Sequence, residues 1–310
     1  MFWTRKKVLV TGADGFVGSH LCEALRDAGA SVRALVRAGN PKNLRAQDGI
    51  FPVKGDVLDF DSLLEASSKV DVVYHLGAIT LIPETRSMMA NTFSTNSVGT
   101  LNLLMAALRN NVSRFIYVST CHVYGEQASF PIRETAAPKP IDIYSASKLA
   151  GEHLCTSFVK MFDLDVVITR AFNHFGPRQR TEFLIPSIIT KLIGGTCELG
   201  DPEPTRDFSY VDDIVSGYLA VAELGRTGEI YQFCSGVERT VRDIATEIVR
   251  IGKFNADLKW HPGARKVDLP RSYGTYEKAK AELGWRPKTT FEEGISRTIE
   301  WYKKRTLGGS

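Results

Sequence analysis

The pentapeptide YSASK places Tyr144 and Lys148 four residues apart, so on a helix they share one face, a single turn from each other. A phenol with its ordinary pKa of about 10 is a poor base at neutral pH, but a cation one turn away stabilises the phenolate. Such a tyrosine can take the proton of a hydroxyl as hydride leaves the same carbon. This spacing also arises by chance, and its surroundings give it weight. Upstream, STCHVYG ends an apolar run at Thr120, whose hydroxyl could bond the same substrate oxygen. The next two residues, Cys121 and His122, can both move protons: an imidazole titrates near pH 6.5, and a cysteine beside a positive group tends to the thiolate. The plainer alternatives are that Cys121 is a small buried filler and that His122 turns away from the site.

Hydride chemistry needs an acceptor, and the N-terminus offers a place for one. GADGFVG sets Gly12, Gly15 and Gly18 between an apolar run and an amphipathic stretch opened by Phe16 and Val17. A tight turn there lets backbone N–H groups and a helix N-terminus face a pyrophosphate, although the same glycines would also serve a bare strand–helix turn. GDVLD supplies Asp56 and Val57 after a further strand, where a carboxylate could accept from an adenine amino group. HLGA supplies Leu76, Gly77 and Ala78, small enough for close backbone approach, while His75 reads as a packed strand-end residue. At the end of the second strand, VRALVRAGNPKN carries Arg33, Arg37 and Lys42 and no carboxylate. A carboxylate there would hold the ribose hydroxyls of NAD(H), whereas Arg37 could grip a 2′-phosphate. The expectation is NADP(H), with NAD(H) as the alternative should Arg37 lie idle in solvent.

These side chains need a scaffold. Apolar runs at 8–11, 32–36, 50–55, 70–76, 115–120 and 164–170 alternate with helical stretches at 16–28, 95–110 and 144–161. That rhythm is the signature of βαβ units. The fold class is therefore α/β: a Rossmann-type doubly wound parallel sheet with a smaller mixed α/β substrate-binding lobe toward the C-terminus. The expected division is 1–170 for the dinucleotide-binding domain and 171–310 for the lobe, some of whose segments return to the first domain. Thr290 and Glu293 form a capping-box pattern ahead of the last helix.

Composition excludes several other classes. The 310 residues are 43% hydrophobic with a formal charge of +4, and the basic residues are scattered, which argues against a nucleic-acid face. No apolar run approaches the roughly 18–20 residues of a membrane span. Five cysteines without a CxxC pair point to a reducing compartment and to no zinc ribbon, and no metal site is expected. A strand pattern begins within a few residues of Met1, leaving no room for a signal peptide, so the expected location is cytoplasmic. The closing LGGS is set aside as a tail.

The ordered set GADGFVG, GDVLD, HLGA, TNSVGT, STCHVYG, YSASK, FNHFGPRQ, PTRDFSYVDDIV and LGWRP resembles the extended short-chain dehydrogenase/reductases, specifically the nucleotide-sugar epimerases and dehydratases. It is closest in pattern to sugar 4,6-dehydratases and 4-keto-sugar reductases. The resemblance implies that Thr120, Tyr144 and Lys148 carry the redox step. It also implies that Asn173, Arg206 and Arg265 hold the diphosphate of a nucleotide sugar. Read locally, Asn173 could instead be a turn residue and Arg206 a surface ion-pair partner. The resemblance further implies a homodimer built on the helices around 97–110 and 144–161. Where similar dehydratases carry an acid/base pair after the threonine, typically Glu preceded by Asp or Ser, this chain has Cys121 and His122. The leading expectation is a dehydratase acting through transient oxidation at sugar C4, with these two residues replacing that pair. The alternatives are a C4 or C5 epimerase, an NADP-dependent 4-keto-sugar reductase and, outside catalysis, a dinucleotide-sensing regulator.

Overall fold

The computed structural model describes residues 2–37, 41–44, 48–80, 87–262 and 269–307. Strands β1 (Lys7–Thr11), β2 (Ser31–Val36), β3 (Ile50–Lys54), β4 (Val72–His75), β5 (Arg114–Thr120) and β6 (Val166–Ala171) fall where the apolar runs predict them. Short strands follow: β7 (Asn173–Phe175), β8 (Glu198–Leu199), β9 (Thr205–Arg206), β10 (Phe208–Tyr210), β11 (Ile230–Phe233), β12 (Arg239–Thr240), β13 (Lys259–Trp260) and β14 (Arg271–Ser272).

Seven strands form one sheet in the order β11-β6-β5-β4-β1-β2-β3, every neighbouring pair parallel. The order reverses between β1 and β4, which opens a crevice beyond their carboxyl ends, where open α/β sheets bind ligands. Both faces are covered, and the pleat shows it. Val8 and Val10 join one apolar cluster with Leu21 and Leu25 of the Phe16–Asp27 helix and Tyr218 of the Val211–Leu224 helix. Leu9 points the other way, into a cluster with Leu103 of the Gly99–Arg109 helix and Phe158 of the Ile143–Phe162 helix. Runs apolar at consecutive positions are what a doubly covered parallel sheet requires.

Two features differ from the sequence expectation. The helix expected over 95–110 is composite: Met89–Phe93, one wide π turn at Ser94–Val98, then Gly99–Arg109. The seventh strand, β11, lies some sixty residues beyond its neighbour β6 and was not among the predicted runs. Beyond the sheet, β7 pairs with β10, β8 with β13, and β9 is flanked by β12 and β14. The Thr290–Glu293 capping box forms reciprocally, at 3.1 and 3.2 Å, before the Phe291–Leu307 helix.

Candidate functional site

The crevice at the β1–β4 reversal is built from glycine. Gly12 sits at φ +66°, and a Cβ on it would lie 2.8 Å from the Gly77 nitrogen, so no side chain fits there. A Cβ on Gly18 would run into the Gly12 carbonyl. Gly15 caps the Phe16–Asp27 helix without any side-chain hydrogen bond, leaving first-turn N–H groups for an anion. Asp14, between the glycines, turns aside: its carboxylate accepts from the backbone nitrogens of Lys42, Asn43 and Leu44 at 2.7–3.1 Å. The β2–β3 connection is thereby clamped beside the glycine turn. Arg37 lies exposed just after β2. The Asp56 carboxylate accepts from Leu58 N at 2.9 Å, and buried Val57 fills the space in front of Gly99.

The far wall is held by a chain of hydrogen bonds through His75. Gly77 N donates to Thr11 Oγ1 at 3.0 Å, and Thr11 Oγ1 meets His75 Nδ1 at 2.7 Å. His75 Nε2 meets Thr100 Oγ1 at 3.0 Å, and Thr100 donates onward to Asn96 O at 2.6 Å. That direction makes Nε2 the protonated nitrogen of a neutral ring. Burial, followed by the charge of Lys148, pushes His75 down to about 3, so it is a structural residue. Asn96, in the π turn, completes the wall. It accepts from Ile79 N at 2.8 Å and donates to Ile79 O and to Ser147 Oγ at 3.0 and 2.9 Å. Sequence reading did not single out Asn96, although it lies within TNSVGT.

The Ile143–Phe162 helix begins in a capping box between Asp142 and Ser145, which sets its first turn against the end of β5. Tyr144 lies in that turn, with Thr120 close enough to act on it. Burial pushes the phenol above its ordinary range, and Thr120 opposes the shift. Lys148 is buried, its ammonium 4.2 Å over the Tyr117 ring, and burial pushes it down to about 8 against the opposing influence of Cys155 and Glu152. Tyr117 donates to Lys148 O at 3.1 Å, an approach that works because Gly151 has no Cβ to strike the Tyr117 ring. One turn further, Glu152 pairs bidentately with Arg170 at 2.9 and 2.6 Å, both side chains almost wholly buried.

Cys121 and His122 open the turn that follows β5, and they part company. The His122 ring lies edge-on to Tyr144, centroids 6.2 Å apart. Cys121 packs with Tyr124, Ile132, Phe172 and Cys234, and burial, followed by the charge of Asp207, pushes its thiol up to about 12. Ser272 and Thr120 lie close enough to oppose that rise in part. A thiol held that high is protonated at neutral pH, which does not suit the thiolate base the sequence suggests.

Asn173 and Arg206 stand nearby, joined through Asp207. Asn173 Nδ2 donates to Asp207 O at 3.3 Å, and Arg206 is a charge close enough to act on Cys121. Asp207 itself is fully buried and accepts from Ser235 N, Ser235 Oγ and Gly236 N at 2.7–2.9 Å. Burial raises it to about 6 in spite of those bonds. It organises the loop after β11, and sequence reading did not single it out, although it lies within PTRDFSYVDDIV. His174 stacks on Phe16 at 5.8 Å and donates from Nδ1 to Phe172 O, a packing role. Arg265 lies outside the described residues. Among the described residues no cluster of His, Cys, Asp or Glu could hold a metal ion, and no helix is long and apolar enough to cross a membrane.

The chain is similar to known proteins over nearly its whole length. The sequence profile of the NAD dependent epimerase/dehydratase family matches residues 8–234. UDP-glucose 4-epimerase from Thermotoga maritima, solved with UDP-glucose, superposes with a TM-score of 0.92 at 30% identity, covering 97% of this chain and 99% of that one. dTDP-glucose 4,6-dehydratase from Streptomyces venezuelae, solved with NAD bound, gives 0.90 at 33%, covering 97% and 98%. GDP-6-deoxy-D-mannose reductase from Pseudomonas aeruginosa is 31% identical over 97% of this chain and 98% of its own length. The RMD structure from that species, with NADPH, gives 0.84 at 31%, covering 97% and 100%.

Proposed function

The chain belongs to the NAD-dependent epimerase/dehydratase family and is an enzyme with a nicotinamide dinucleotide cofactor; we propose that it is a nucleotide-sugar 4,6-dehydratase. The observation that carries this reading is the His122 imidazole beside the Tyr144 phenol. An ionisable base in that place has no task in a simple C4 epimerisation, where a 4-keto sugar need only turn over. It has one in elimination, where the 4-keto group acidifies the hydrogen at C5.

The residues present fit the cofactor, since the glycine turn is a cradle that a single Cβ would fill. Gly12, Gly15, Phe16, Val17 and Gly18 would hold its pyrophosphate, Asp56 and Val57 its adenine, and Leu76, Gly77, Ala78, Tyr144 and Lys148 its nicotinamide half. When bound, it supplies the hydride acceptor and, at the end, the hydride donor. Arg37, with no carboxylate at the end of β2, favours the 2′-phosphate of NADP over NAD.

Tyr144 takes the proton of the C4 hydroxyl, and Thr120 bonds the same oxygen. Lys148, one turn on along the same helix, supplies a positive charge that favours the phenolate. His122 removes the C5 proton and, as imidazolium, gives a proton to the departing C6 hydroxyl, which leaves as water. Cys121, held as a thiol, packs behind Thr120 and keeps the turn in place. Asn173, Arg206 and Arg265 hold the diphosphate, and the segment 171–310 forms the substrate lobe. Exposed Phe93, Val98, Met161 and Phe162 on the helices around 89–109 and 143–162 support a homodimer across those faces.

The burial of Cys121 favours a second reading, a C4 epimerase, because it leaves one proton-handling residue where dehydratases use two. Incubation with UDP-, GDP-, dTDP- and CDP-sugars in heavy water, followed by NMR, tests both. A 6-deoxy-4-keto product with deuterium at C5 is expected, and a C4 epimer without C5 exchange would overturn the dehydratase reading.

A further inference from the structure

The small sheet β12-β9-β14 sorts its side chains by register. Arg239 stands opposite Arg206, and Arg206 opposite Ser272, so these three lie in one row on one face. Thr240, Thr205 and Arg271 form the row on the other face. On that second face Arg271 pairs bidentately with Glu238 at 2.6 and 2.8 Å, and Glu238 also accepts from Thr205 at 2.5 Å. The first row runs toward the candidate site, because Ser272 lies close enough to act on the Cys121 thiol, next to Thr120. Its outer member, Arg239, has no ion-pair partner among the described residues. Its guanidinium stacks 4.4 Å over the Phe291 ring, and its Nη1 is buried without a hydrogen bond. An orphaned buried guanidinium N–H costs free energy. An anion reached by both Arg206 and Arg239 removes that penalty.

We propose that Arg239 is a further arginine of the substrate site, gripping the diphosphate together with Arg206. This assignment rests on the nucleotide-sugar reading. Arg239 is two strand spacings, about 10 Å, from Ser272. The row therefore leads from the sugar end of the site, at Cys121 and Thr120, out to the phosphates. Phe291 holds the guanidinium in place before substrate arrives.

Calorimetric titration of the cofactor-loaded protein with UDP, dTDP, GDP, CDP and their uncharged nucleosides tests this. Arg239→Gln keeps an aliphatic stem against Phe291 and removes the charge. The nucleoside diphosphate that binds the parent best should bind this variant about 10- to 100-fold more weakly, the loss of a charge-assisted bond, while the matching nucleoside is unaffected. Arg239→Lys should recover part of the loss, and Arg226→Gln, an exposed position paired with Glu282, should cause none. Equal diphosphate affinity in parent and Arg239→Gln, or an equal loss for nucleoside and diphosphate, overturns the assignment. A parent that holds its cofactor yet binds none of the four diphosphates overturns the nucleotide-sugar reading beneath it.

Discussion

Glu152→Gln should destabilise the fold and shift the pH range of activity at the same time, since the residue sits between a buried arginine and the lysine of the candidate site. Glu152 and Arg170 are 4% and 3% exposed and bond bidentately, while Arg170 Nη1 already lacks a partner. Removing the carboxylate leaves a buried guanidinium uncompensated, at a cost of about 3–5 kcal/mol. The melting temperature should fall by roughly 10 °C. Replacing both residues by methionine should recover most of that, because the buried charge leaves with its partner. The pH effect follows from Lys148, which is faced by Tyr117 from β5, His75 from β4, and Cys155 and Glu152 from its own helix. Its pKa is already lowered to about 8, so the ammonium is present below that pH and lost as pH rises through it. Without the Glu152 charge the lowering deepens, and the alkaline fall in turnover moves toward neutral pH. Urea denaturation and a kcat–pH profile read the two effects separately. A destabilisation under about 1 kcal/mol, the value of an exposed pair, with an unmoved alkaline limb would refute the reasoning.

Tyr144→Phe should lower turnover at least ~100-fold with little change in substrate affinity, measured by steady-state kinetics and titration. His122→Ala should abolish deuterium exchange at C5 and 6-deoxy product by NMR, while Cys121→Ala should retain most activity; the reverse pattern would make Cys121 the proton carrier. Arg37→Asp should weaken NADP binding far more than NAD binding, read by fluorescence titration, because a carboxylate then faces the 2′-phosphate. Light scattering at micromolar concentration should report a dimer, and Met161→Glu on the exposed end of the helix should shift it toward monomer.

The sequence by itself carried whatever is local. Glycine spacing between a strand and a helix, the i to i+4 relation of Tyr144 and Lys148, and the Thr290–Glu293 cap are properties of a few consecutive residues. Hydrogen bonds and sterics act over that range whatever the rest of the chain does. The consecutive apolar runs likewise revealed a sheet covered on both faces. Pairing over long separations was decided only in three dimensions. Strand β11 is four residues that count as a strand because β6 offers it an edge. Cys121 and His122 are adjacent in sequence, yet one enters a small core and the other meets the phenol, because successive side chains in their turn face different neighbours. Asp207 became an organiser only once the loop after β11 brought its N–H groups to the carboxylate. Arg239 became a candidate ligand only through its register with Arg206, thirty-three positions away, since a motif records composition while a sheet records which side chains share a face.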